Sequence, residues 1–364
     1  MRETHFSQRL REREELMGLR SEDIQSLSRS EVHKRLKAAT GNTPLRVIAL
    51  PNGNTLVQKD ETANPTESHY DRCYLPLLEA LEAEGTISKG DVLLETTSGS
   101  AGISFAWICQ KLGFAPHVFM PDFVPEPRIV ESRRFAEVHL SSDRERYLQA
   151  CAEDMVHYFR ENKAALRAEG RGMWMPNHSQ DFRTPIAFEA IADEVAMQKP
   201  GIGVDYFIGG VGNGSTLLGV GRRVKTIWPD ARVIGYEPTR ACPFYVAHRN
   251  RWGSIAPKLA GDEEIPAQWQ VHDMPGTGSF GNIPFPFMKA AIEKGVIDDM
   301  LHVRDAEILQ SVRYNEKLTP ELRQGHTSLV ARFIAEQMAK QVRGKIFFTM
   351  AYDKLGRYGK PEYV

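Results

Sequence analysis

The chain has 364 residues, of which 41% are hydrophobic and 26% charged, and its formal net charge is -1. That length supports one large core or two, and the near-neutral balance offers neither a basic face for nucleic acid nor an acidic tail for a basic partner. The polar start, Met1 to Glu15, lacks the apolar centre of a signal peptide, and no apolar run is long enough to span a bilayer. A cytoplasmic setting without membrane attachment is expected. Cys73, Cys109, Cys151 and Cys242 lie far apart with no CxxC pair. They read as buried free thiols, not as a zinc site or a disulfide framework.

Residues 1–38 read as a helical arm, with alternating charges and helix starts at Ser21-Glu22-Asp23 and Ser30-Glu31. The arm is expected to pack on the body or on a second subunit, or else to form a solvated extension. From Thr40 the pattern alternates. Strands are expected at 55–59, 92–95, 117–120, 137–140, 206–208, 232–236 and 345–349. Helices are expected at 102–112, 127–135, 217–227 and 328–342. Such alternation predicts parallel sheets covered on both faces.

Between the strand at 206–208 and its helix runs Gly209-Gly210-Val211-Gly212-Asn213-Gly214-Ser215-Thr216. Glycines let successive N–H groups converge on an anion, the helix start adds favourable partial charge, and Ser215 and Thr216 add hydroxyls. The spacing fits neither a Walker A loop nor a full dinucleotide fingerprint, and glycine also serves tight turns on geometry alone.

Several segments, in order, resemble the fold-type II pyridoxal phosphate (PLP) enzymes, the cysteine synthase and cystathionine β-synthase group. They are Gly41-Asn42-Thr43-Pro44-Leu45, Asn64-Pro65-Thr66-Glu67-Ser68-His69-Tyr70-Asp71-Arg72, and Glu95-Thr96-Thr97-Ser98-Gly99-Ser100-Ala101-Gly102. The later ones are Gly212 to Thr216, Ile234 to Pro238, Gly276-Thr277-Gly278-Ser279, Gly325-His326-Thr327-Ser328, and Asp353 to Tyr358. Together they span roughly residues 40–358.

The resemblance implies a two-lobed α/β fold of the tryptophan synthase β type with parallel sheets. Residues 39–87 and 166–364 would form the large domain and 88–165 the small one, with the functional cleft between the lobes. It implies a substrate-carboxylate loop at Thr97, Ser98, Gly99, Ser100 and Ala101. It also implies a phosphate loop at Gly212, Asn213, Gly214, Ser215 and Thr216, and a contact to the pyridine nitrogen from Asp353 or Lys354, where the family offers serine or threonine.

The departures cluster at the cofactor. Tyr70 stands where the family's lysine forms the Schiff base, and a phenol cannot form an imine. Ser100 replaces an asparagine that touches the ring, and Ala101 replaces a hydroxyl residue. The expected function is therefore a divergent cysteine synthase-like enzyme, a lyase or transferase acting on a small amino-acid-like substrate without an internal lysine aldimine. PLP is held noncovalently or is absent, and Tyr70 serves as general acid or base.

Alternatives stand beside this. One is a phosphate ligand other than PLP, with Tyr70, Ser98 and Ser100 at the reacting end. Another is a non-catalytic binding or regulatory pseudoenzyme. A third is a conventional β-elimination or β-replacement enzyme with a relocated lysine, for which Lys354 is the outside candidate, while Lys59 reads as structural. His69 is expected to point away from Tyr70, toward solvent or the core, and His178 is expected at the surface. Phe280, Phe285 and Phe287, interleaved with Pro284 and Pro286, are expected to form a packed wall. A homodimer is the expected assembly, and no metal is expected.

Overall fold

The structure, a computed structural model, describes residues 5–278, 286–315, 317–319 and 322–359. Ser279, Phe280, Pro284 and Phe285 lie outside the described residues. Ten strands follow in chain order: β1 (Leu45–Ala49), β2 (Thr55–Asp60), β3 (Val92–Thr96), β4 (Ala115–Pro121), β5 (Glu137–Ser141), β6 (Met173–Trp174), β7 (Tyr206–Gly210), β8 (Arg232–Pro238), β9 (Asp299–Val303) and β10 (Ile346–Ala351). The chain forms two compact units. The first comprises Met1–Gly41, Thr62–Arg183 and Gly356–Val364, and the second comprises Asn42–Glu61 and Thr184–Leu355.

The first unit holds a parallel sheet in the order β5-β4-β3-β6. Helix Leu148–Ala168 covers one face, where Cys151 and Met155 pack with Val92, Leu94, Phe119 and Met173. Helix Ser100–Lys111 is buried along most of its length, with Ile103, Phe105 and Trp107 fully enclosed. A helix that is apolar around its circumference belongs inside a core.

Three N-terminal helices, His5–Met17, Ser21–Gln25 and Arg29–Ala39, belong to this same unit. Leu10, Leu19 and Leu36 bury their side chains. Glu14 accepts from the Trp107 indole at 2.7 Å and pairs with Lys111 at 2.6 Å. The unit thus extends beyond residues 88–165. Its fourth strand, at 173–174, and the arm's buried leucines and Glu14 contacts tie the flanking segments to it.

The second unit holds a six-stranded sheet in the order β1-β2-β10-β7-β8-β9. All pairs are parallel except β1 with β2. Only Leu50 to Asn54 join those two strands, too few residues for the crossover a parallel pair needs, so the edge pair turns back on itself. Asn52 sits there in the left-handed region at φ 61. The central strand β10 is buried on both faces by Phe347, Phe348 and Met350, as an interior parallel strand should be. Helix His326–Ala339 lays Val330, Ile334, Ala335 and Met338 on one face of this sheet, against Ile208, Ile234 and Phe347.

Candidate active site

The first unit gathers the carboxylate-loop motif and the Tyr70 segment. Tyr70 is half-buried and immediately precedes helix Asp71–Ala83. The loop before it is fixed by the N-terminal arm. Arg13 donates to the carbonyls of Asn64 at 2.5 Å and Pro65 at 3.2 Å, and Arg9 pairs with Glu67 at 2.7 and 3.0 Å. Glu67 is in the left-handed region at φ 58. That backbone conformation is costly for a side-chain-bearing residue and is held here by the ion pair.

One histidine expectation is overturned, and another holds for burial but not for direction. His69 is buried, and its ring lies 4.1 Å from that of Tyr70. The turn ahead of the helix lets neighbouring side chains converge where a regular helix would splay them. His178 is 4% exposed and not a surface residue. Its ring stands edge-on to Tyr70 at 5.6 Å and also packs on Tyr74 at 5.2 Å. Glu95, next to the end of β3, anchors its backbone: Glu95 Oε2 accepts from the His178 N–H at 3.0 Å and lies 3.1 Å from its Nδ1. Burial, reinforced by Glu95, pushes the Tyr74 phenol far above the ordinary tyrosine range, so it stays neutral.

The loop after β3 closes on itself. Thr97 Oγ1 accepts from the N–H groups of Gly99 at 2.9 Å and Gly102 at 3.1 Å. Ser100 and Ala101 begin the following helix and are buried. Arg128, nearly enclosed, donates to Ser98 O and to Arg357 O, both at 2.9 Å, and lies over the Tyr358 ring. A Cβ on Gly99 would meet Arg128 Cδ at 2.3 Å, which gives that glycine a packing role. Tyr147, at φ 47, bonds Ser98, and burial pushes its phenol up to about 12 despite the nearby Arg128. Arg128 and Tyr147 lie in no motif and were missed by sequence reasoning; Glu95 and Arg357 lie within family segments but were given no role.

The second unit gathers the remaining motifs. Gly214 takes a left-handed conformation at φ 88 ahead of helix Ser215–Ile227, whose first-turn N–H groups have no intrahelical acceptors. Asn213 Oδ1 accepts from Ser215 N at 3.0 Å and from Ser215 Oγ at 2.7 Å. Gly278 N donates to Val211 O at 2.5 Å, and the hydroxyls of Thr277 and Thr327 are 3.0 Å apart. Ser328 Oγ accepts from Tyr352 N at 2.9 Å, and Tyr352's own hydroxyl accepts from Gly210 N at 3.2 Å. The glycine turn, the Gly276–Gly278 loop, the start of helix His326–Ala339 and the end of β10 are thus joined by direct bonds.

Asp353 is buried, its carbonyl accepting from Gly325 N at 2.8 Å, and Lys354 is half-buried in a bridge with Gln324. The glycines also answer to packing. A Cβ on Gly212 would lie 2.5 Å from Gly276 O, and one on Gly214 would lie 2.4 Å from Met288 Cγ.

Residues 36–349 match the family model described as "Pyridoxal-phosphate dependent enzyme". The chain belongs to this family. It is 28% identical over 324 residues to the cysteine synthase of Staphylococcus aureus strain Mu50, covering 87% of this chain and 93% of that one. A hydrogen sulfide-producing enzyme from Fusobacterium nucleatum is 25% identical with a TM-score of 0.72, over 89% of this chain and 98% of that one. The O-acetylserine dependent cystathionine beta-synthase from Helicobacter pylori has the same fold at 22% identity and a TM-score of 0.71, over 89% and 96%. The architecture is that of the fold-type II PLP enzymes.

The residues fit one end of PLP and not the other. The helix start at Ser215, with its hydroxyls, suits a phosphate. No amine stands at position 70. Among the described residues, the buried lysines are Lys59 and Lys111. Lys59 is wholly enclosed, paired with Glu194 at 2.7 Å and donating to Gln198 at 2.9 Å and to the Thr43 carbonyl. Lys111 is spent on Glu14.

Glu237, in the family segment 234–238, is wholly enclosed, and burial pushes its carboxyl up to about 8 despite the Tyr245 N–H at 2.8 Å. A carboxyl raised from 4.5 to about 8 on folding binds more protons folded than unfolded between those values. Stability therefore falls as pH rises through that window, by up to about 1.4 kcal/mol per pH unit. Glu237→Gln is expected to flatten the slope, as read by urea unfolding across the window. An identical slope in both proteins would contradict it.

Proposed function

We propose that the chain is a divergent cysteine synthase-like enzyme that acts on a small amino acid, with PLP held by noncovalent contacts alone. The observation that carries this reading is the set Tyr70, His178 and Glu95: a phenol, where the sequence resemblance puts the family's lysine, lies against an enclosed imidazole whose backbone N–H a buried carboxylate accepts.

In this reading Ser215, Thr216 and the first-turn N–H groups hold the phosphate, with Asp353 or Lys354 at the ring nitrogen. Residues 97–101 hold the substrate carboxylate, the helix start at Ser100 supplying the favourable dipole. When bound, PLP would supply an electron sink for the amino acid's α-carbon. Tyr70 gives and takes the proton there, and His178 fixes its ring. Without a lysine to exchange for substrate, turnover is slow. The substrate class is an O-substituted serine, of the kind named for the Helicobacter pylori neighbour.

A second reading, a ligand-binding protein without turnover, draws support from donors already taken inside the loops, by Asn213 Oδ1 and Thr97 Oγ1.

Titration with PLP, followed by absorbance and then dialysis, separates the two readings. Saturable binding that dialysis reverses is expected, and Thr216→Val should weaken it about tenfold through loss of a bond to a charged group. Gly214 substitutions do not serve, because the clash with Met288 disturbs folding whatever binds. Absence of PLP binding would leave the second reading.

A further inference from the structure

We infer that the first unit carries a binding site for a divalent transition-metal ion, Zn2+ foremost, built from His117, Glu137 and His139. These residues lie on neighbouring parallel strands. In the register of β4 with β5, His117 faces Glu137 and Phe119 faces His139. Residues two apart on a strand share a face, so all three donors emerge together at the edge of the sheet, since β5 is its outer strand. One ligand atom from each lies within 4.8 Å of the others.

The two imidazoles share a hydrogen bond, and the carboxylate stands outside it. His117 Nδ1 and His139 Nε2 are 3.0 Å apart. Glu137, however, stands 3.6 Å from His139 Nε2 and 3.7 Å from His117 Nε2, too far to bond either. Its carboxylate faces two imidazoles without closing on them. Ligands at about 2.0–2.1 Å around a tetrahedral Zn2+ stand about 3.3 Å from one another; His139 Nε2 lies 3.0 Å from His117 Nδ1 and 3.6 Å from Glu137 Oε1, either side of that value.

The rings are also held. His139 stacks on Phe119 at 4.3 Å and 9°, and Tyr158 from helix Leu148–Ala168 packs against both histidines at 5.3 and 4.8 Å. Glu137 is 61% exposed in its side chain, so an ion reaches the site from solvent and water completes its coordination. Two imidazoles with one carboxylate select zinc, nickel, cobalt or copper over magnesium or calcium. Bound there, the ion would bolt the edge strand β5 to β4. This site is independent of the PLP reading, and its test needs no activity.

The test is calorimetric titration of chelator-treated, tag-free full-length chain with ZnCl2, alongside Co2+ absorbance. One ion per chain is expected, with visible bands of tetrahedral Co2+ and a zinc-dependent rise in melting temperature. His139→Gln and Glu137→Gln alter half-exposed and exposed side chains, so both should fold, and circular dichroism checks this. Each is expected to weaken binding by about tenfold to a hundredfold. The site is overturned by absence of saturable binding, by unchanged affinity in both variants, or by a thiolate charge-transfer band placing the ion on a cysteine.

Discussion

Tyr70→Phe is expected to lower kcat on an O-substituted serine by about 10²- to 10⁴-fold, the range a positioned general acid or base supplies, and to leave the melting temperature almost unchanged. The substitution removes one oxygen and keeps the ring that packs on His69 and His178. Tyr74→Phe is the control, because that phenol touches the same histidine but is wholly buried and held neutral. Among the described residues its hydroxyl has no hydrogen-bond partner, so its removal should retain activity and keep or raise stability. Full activity in Tyr70→Phe would reduce Tyr70 to a space-filling residue.

The largest loss of stability is expected from Asp299→Ala. Asp299, fully buried at the start of β9, accepts from the backbone N–H groups of Gly253 at 2.6 Å, Ile255 at 2.7 Å, and Ala256 and Met300 at 2.8 Å. One carboxylate thus pins the loop after residue 252 to the edge of the six-stranded sheet. Alanine strands four donors. With about 1–3 kcal/mol for each buried group left unpaired and some of them reaching water, a loss of about 3–5 kcal/mol is expected in urea unfolding. Asp299→Asn keeps one acceptor oxygen and should lose less. A loss below about 1 kcal/mol in the alanine variant would show that the loop finds other partners.

Local pattern made most of the fold legible. The strand at 206–208, its glycine turn and the helix after it lie where alternating apolar runs and a Gly-rich break put them, and the helix begins at Ser215. The edge strand β1 was not expected, since Leu45-Arg46-Val47-Ile48-Ala49 is half-exposed and short. Helix Leu148–Ala168 was missed because its buried positions are few: Ala150, Cys151 and Met155.

The site was legible only where chemistry sits within a motif. Glu95 and His178 are 83 positions apart, Arg128 and Ser98 are 30 apart, and Arg357 bonds the carbonyl of Thr66 from 291 positions away. No local signal announces such pairs. His178 follows Asn177, a left-handed residue at φ 54; that turn buries the ring a loop histidine would otherwise expose. Glycine is the converse case. Gly212 and Gly214 marked an expected phosphate loop in the sequence, yet each also has a backbone or side-chain neighbour that would collide with a Cβ.

The central claim is that PLP binds this chain without a covalent bond to lysine. Borohydride reduction of the PLP-loaded protein, followed by peptide mass mapping, tests it most directly. The account predicts that every lysine peptide, those of Lys59 and Lys354 included, keeps its unmodified mass. A reduced PLP adduct recovered on either lysine would contradict it.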